Sequence, residues 1–278
     1  MSDFQKAVEI VHDALRGLHE HGVKLHASSA ALERLASATD ATPPPAAPLP
    51  EPVREVVAVR VEAPPRVADG GEKAEQLAGI RGPILACTKC PNLVASRTQV
   101  VFGVGNPDAE LMFVGEAPGE DEDRQGEPFV GAAGQLLTKI IVAMGFAREE
   151  VYIANVLKCR PNMPPGESGN RKPRPDEMKT CLPYLQKQIE IIRPRALVAL
   201  GATAMEGLTG NTTPVGKLRG RWHEFDGIPL MATYHPAYLL RNQSLSEKRK
   251  VWEDMLLVLE KLARPISEKQ RNFFLPKS

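Results

Sequence analysis

Four short stretches of the chain carry residues whose types and spacing suit chemistry. Cys87 and Cys90 form a C-x2-C pair, and Cys159 and Cys181 follow roughly 70 and 90 residues later. Two thiolates at the first spacing can grip one metal centre. Four cysteines with none spare suit either an all-cysteine zinc site or an iron–sulfur cluster. Zinc ribbons usually repeat the C-x-x-C and this chain does not, yet spacing alone leaves both metals open, with four unconnected thiols as the plain alternative. The segment 115–134, GEAPGEDEDRQGEPFVGAAG, is the densest signal. Its Gly/Pro turn lets backbone approach a ligand, and Phe129 stands alone in a polar loop, where an aromatic ring can be a stacking platform. Six carboxylates lie between 116 and 127. Most must be solvated surface, and Glu116, beside a strand end, is the functional candidate. Asn155 offers both donor and acceptor and so can read a nucleobase edge, although an Asn there often caps a turn. His235, in YHPAYLLR, could stabilise a developing anion, against the ordinary role of a structural histidine. Lys158, Arg160, Arg171, Lys172, Arg174 and Arg241 supply basic loops of the kind that track phosphates.

These residues need elements to position them. Glu110–Gly115, Val151–Val156, Ala196–Leu200 and Pro229–Thr233 are short apolar runs that predict buried strands. Between them, residues 132–145, 175–193, a short stretch from Ala202, and 246–263 have helical periodicity. The alternation implies an α/β protein: a three-layer α/β/α sandwich around a mostly parallel four-stranded sheet. Ligands in such sheets sit beyond the carboxyl ends of the strands. That rule selects loops 115–131, 155–175 and 233–241, which hold the candidates above. Gly131 to Gly134 opens a helix, but matches neither GxGxxG nor GxxxxGK[ST], so a nucleoside-triphosphate site is disfavoured.

The 278 residues, 42% hydrophobic and 25% charged, suffice for one full domain with an appendage. Eight prolines fall between Pro43 and Pro65, which no helix or central strand sustains. Four segments follow: a helical N-terminal extension over 1–39, a Pro-rich linker over 40–72, the main domain over 73–265, and a tail over 266–278. The N-terminal helices are candidates for docking a protein partner. Net charge is +1, but residues 1–70 carry −3 and the remainder +4, so the main domain is mildly basic. No apolar run approaches the ~20 residues of a membrane span. The start, MSDFQKAVEI, lacks a secretory pattern, so a cytoplasmic setting with reduced thiols is expected.

GEAPGEDED, PFVGAAG, NVLKCRP and HPAYLLR, with C-x2-C ahead of them, together resemble the family 4 uracil-DNA glycosylases over about residues 80–262. The resemblance implies a [4Fe-4S] cluster with a structural role on Cys87, Cys90, Cys159 and Cys181. It also implies uracil-containing DNA, single- or double-stranded, as substrate, with hydrolysis to an abasic site in base-excision repair. A flipped uracil would then stack on Phe129 and pair through N3–H and O4 with Asn155. His235 would stabilise the uracil anion near O2, Glu116 would orient or activate water, and backbone at Ala117 would add a hydrogen bond. Glu122 would stand against a thymine methyl. A related branch that crosslinks to DNA through a histidine is disfavoured, since none lies between Cys159 and Cys181.

Overall fold

The computed structural model describes residues 70–275 apart from 165 and 168. The N-terminal helices, most of the Pro-rich linker and the last three residues lie outside the described residues. The helices of the described residues are α1 (Gly70–Leu85), α2 (Pro91–Val94), α3 (Glu120–Gln125), α4 (Ala132–Ala143), α5 (Pro175–Ile192), α6 (Ala202–Thr209), α7 (Val215–Leu218), α8 (Pro236–Arg241), α9 (Leu245–Lys261) and α10 (Glu268–Arg271). Strands are β1 (Val104–Gly105), β2 (Leu111–Gly115), β3 (Tyr152–Asn155), β4 (Ala196–Leu200), β5 (Trp222–Phe225) and β6 (Ile228–Thr233).

One sheet of six strands, in the order β1-β3-β2-β4-β6-β5, forms the middle layer. Its four inner strands are the four expected from sequence, all parallel. The four-stranded expectation is corrected at the edges, where β1 pairs antiparallel with β3 and β5 antiparallel with β6. Two residues of β1 leave no periodicity to detect. β5 did leave a signal: Asp226 and Gly227, with φ of 51° and 74°, make the two-residue turn that Asp-Gly favours between hairpin strands.

Side-chain alternation builds both outer layers. In β2, Leu111 and Phe113 join Ile153, Val198 and Met231 in one apolar cluster, under Leu137 and Ile141 of α4 and Met255 and Val258 of α9. Met112 and Val114 point the other way, into a cluster with Ala154, Leu197, Ala199, and Leu185, Ile189 and Ile192 of α5. Parallel strands covered on both faces read as continuous apolar runs, which is why LMFVG and ALVAL are buried throughout. From β2 the chain steps to β3 on one side and later crosses to β4 on the other. The order therefore reverses beside β2, and the crevice at its carboxyl end is where such sheets take ligands. Residues 266–275, expected as a tail, are fastened. Ser267 caps α10, and the Trp252 indole N–H donates to the Gln270 carbonyl at 2.5 Å.

Candidate active site

Gly115 ends β2 and pairs with Asn155 at the end of β3. Two side chains converge over it. A methyl group at 115 would fall 2.3 Å from the Asn155 Oδ1 and 2.6 Å from the Phe129 ring, so only glycine lets both approach. Asn155 is 2% exposed, and its Oδ1 is buried without a hydrogen-bond partner. An unmet buried acceptor costs about 1–3 kcal/mol. That cost is tolerated where a ligand supplies the donor.

Phe129 sits just before α4 with φ of 55°, a left-handed backbone that is a true outlier for a bulky residue and costs on the order of 1–3 kcal/mol. Its ring centroid lies 5.6 Å from that of His235, the planes inclined by 31°. His235 follows β6 and caps α8: its Nδ1 accepts from the Ala237 N–H at 3.1 Å. With Nδ1 accepting, a neutral ring carries its proton on Nε2. Burial, and secondarily the nearby Arg241, push its pKa down to about 4. The imidazole is therefore a neutral Nε2 donor near pH 7.

Glu116 follows Gly115 directly and is partly buried, its carbonyl accepting from the Leu157 N–H at 3.0 Å. Burial raises its carboxyl pKa; the Thr203 hydroxyl and Lys172 oppose the rise and Glu206 adds to it. Ala117 is half-buried against the α5-side core. The structure thus gathers Asn155, Phe129 and His235 around the end of β2, with Glu116 and Ala117 on the turn that leaves it. Glu122 commits both oxygens to the loop: Oε2 accepts from the Gly119 N–H, and Oε1 from Val130 and Gly131 at 3.0 and 3.1 Å.

The basic set changes more. Lys158 is 1% exposed and donates to the Gln188 Oε1 at 2.5 Å, so it cannot reach a phosphate. A lysine beside a buried strand end turns inward once a buried amide is there to receive it. Arg160 pairs with Glu120, Arg171 and Arg174 with Glu177, and Lys172 with Glu206. Arg241 is exposed and has no ion pair among the described residues. Sequence reasoning passed over its neighbour Leu240, 38% exposed while Leu239 is 4% exposed. An exposed leucine one turn beyond His235 was legible from the register of HPAYLLR, had the helix been placed. Sequence reasoning also missed the ties that hold this loop. Thr233 Oγ1 donates to the Asp254 carboxylate at 2.6 Å, and Arg219 grips the same carboxylate at 2.8 and 3.0 Å. Tyr238 donates to Glu247 at 3.0 Å.

Cys87 lies past α1, Cys90 caps α2, Cys159 follows β3, and Cys181 sits in α5. All four line one pocket with Leu93, Arg97, Thr180 and Tyr184. Arg97 donates through Nη1 to the Cys159 sulfur at 3.0 Å and through Nη2 to the Cys87 carbonyl at 2.7 Å. The Lys158 backbone N–H donates to the Cys181 sulfur at 3.2 Å. Burial raises the thiol pKa of Cys90, Cys159 and Cys181, the last to about 11, and neighbouring sulfurs add to each rise. Among the described residues no group of three or more His, Cys, Asp or Glu side chains is placed to hold a single metal ion. The cysteines surround a pocket instead of closing on a point.

Known proteins resemble this chain in sequence. The family model described as the uracil DNA glycosylase superfamily matches residues 102–256. The type-4 uracil-DNA glycosylase of Thermotoga maritima is 48% identical over 171 residues, covering 61% of this chain and 85% of that protein. The type-4 enzyme of Archaeoglobus fulgidus is 43% identical over 182 residues, covering 63% and 88%, and that of Sulfurisphaera tokodaii 42% over 198, covering 68% and 86%. The matched stretch carries the strand ends where Glu116, Asn155 and His235 stand, and the chain belongs to the uracil-DNA glycosylase superfamily, with the type-4 uracil-DNA glycosylases.

Proposed function

We propose that this protein excises uracil from DNA by hydrolysing the bond between base and deoxyribose, leaving an abasic site for base-excision repair. The observation that carries the reading is the buried, partnerless Oδ1 of Asn155 beside the Phe129 ring. A uracil rotated out of the helix brings an N3–H donor to that oxygen and an O4 acceptor to the amide NH2. Cytosine presents the reverse pattern, which leaves buried groups unpaired. Phe129 stacks on the ring, and backbone at Ala117 adds a hydrogen bond. As the glycosidic bond breaks, its electron pair goes to the uracil, and His235 stabilises the anion near O2 through its neutral Nε2–H. Water adds to the sugar C1′ and gives its proton to Glu116, whose buried carboxylate is a stronger base than an exposed one. Leu240, exposed beyond His235, fills the gap left in the base stack, and Arg241 meets phosphate. The same loop chemistry serves uracil in single- or double-stranded DNA, in the cytoplasm.

A [4Fe-4S] cluster is proposed for the cysteine pocket. Its all-sulfur donor set, with N–H donors on Cys159 and Cys181, suits iron–sulfur ligation. When bound, the cluster supplies a structural cross-link. Its ligands would join the α1–α2 connection to the β3 loop and α5.

Asn155→Asp tests the central contact. A protonated carboxyl can reverse the hydrogen-bond pattern, so free-base release from single-uracil oligonucleotides should fall by tenfold or more, on the order of one lost buried pairing. Release from single-cytosine oligonucleotides should rise above the parent's. Unchanged kinetics on both bases would remove Asn155 from base reading.

A further inference from the structure

Phe129 holds a backbone conformation that a bulky residue avoids, and the reason is visible in the two charged groups on either side of the peptide that follows it. The Phe129 carbonyl accepts from Arg148 Nη2 at 3.1 Å, and the same nitrogen donates to the Pro128 carbonyl at 2.8 Å. The next N–H, that of Val130, donates to Glu122 Oε1 at 3.0 Å, and Gly131 N–H donates to the same oxygen at 3.1 Å. One peptide group thus lies with its oxygen toward a cation and its N–H toward an anion. Turning it over would place the oxygen against the Glu122 carboxylate and the N–H against the Arg148 guanidinium, unfavourable at both ends. Arg148 is itself fixed, through Nη1, to the Thr138 hydroxyl of α4 at 3.0 Å. Beneath the same carbonyl only a glycine fits: a Cβ at position 134 would fall 1.8 Å from the Phe129 oxygen.

We propose that Arg148 and Glu122 are positioning residues that lock the Phe129–Val130 peptide and so hold the Phe129 ring in its base-stacking pose. The inference rests on the proposed stacking of uracil on Phe129. Neither residue touches the base; each acts through Phe129. The lock spares the ring from ordering itself when uracil arrives, so its removal is felt in binding and in rate together.

The test is a double-mutant cycle on the full-length protein. Arg148→Met and Phe129→Ala are made singly and together. Single-turnover excision of a uracil oligonucleotide and inhibition by free uracil are measured for each. Arg148→Met alone should slow excision about tenfold and weaken free-uracil inhibition several-fold. In the Phe129→Ala background the same change should cost less than twofold, because the ring it positions is gone. Arg148→Lys, which keeps the charge but not the fork, should fall between Met and the parent, and guards against a variant that fails to fold. An equal loss in both backgrounds would overturn the lock and make Arg148 merely structural. No loss from Phe129→Ala alone would instead overturn the stacking on which the inference rests, and the inference with it.

Discussion

At the scale of single residues, protonation decides what the site can do. His235 is held neutral by burial, with a pKa of about 4, so its proposed donor role needs no titration between pH 5 and 8. Its depressed pKa also gives stability that is whole above the unfolded value near 6.5 and is lost as pH falls toward 4. Glu116 is shifted the other way, burial lifting it above its usual range, and its proposed water activation requires the charged form. Excision by the parent protein should therefore fall on the acid side with a midpoint above 4.5, a limb that belongs to Glu116 and not to His235. Glu116→Gln should lower the rate by about 10²–10⁴ and abolish the acid limb. A Gln variant that kept the parent's pH profile would assign the limb to another group. That Asn155 and His235 would share one rim was legible in the sequence, because both stand at strand ends of a parallel sheet, whereas Phe129 reaches that rim from the loop before α4. Lys158 was misplaced for the converse reason. Whether a lysine turns outward depends on Gln188, thirty residues on in another element.

At the scale of elements, the sheet's four parallel strands were legible because each is a short, wholly apolar run between turn residues. The Asp226–Gly227 hairpin carries its signal in two turn residues alone, and β1 carries none. The polar ties that steady the His235 loop, from Thr233 and Tyr238 to α9, span twenty-one and nine residues, beyond any periodicity. The cysteines join elements in the same long-range way. If the proposed cluster is bound there, Cys87→Ser should lose the visible absorbance it gives and, with the α1–α2 connection untied, much of the protein's solubility. Retention of both would take Cys87 out of the ligand set. Leu77 and Ile84 of α1 are buried, and Lys73 donates to the Ile192 carbonyl at 3.0 Å. The helix therefore leans on α5 as well as on any cluster.

At the scale of the whole molecule, the composition break falls just ahead of the first described element: Pro-rich sequence ends at Pro65 and α1 starts at Gly70. Every residue of the proposed pocket lies beyond that break. Removing 1–69 should leave excision of uracil from short oligonucleotides within about twofold of the full chain, whereas removing 1–85, which takes α1 with its buried Leu77 and Ile84, should destabilise the fold by several kcal/mol. A large loss from the shorter truncation would make the N-terminal segment part of the active unit. Among the described residues no helix is long and apolar enough to cross a membrane.

The most direct test uses the purified full-length chain on matched oligonucleotides that differ only in carrying one uracil or one thymine, with and without alkali after incubation. Hydrolysis to an abasic site predicts strand breaks from the uracil substrate alone, and only after alkali. Intact strands under both treatments, or equal breakage at thymine, would contradict the account.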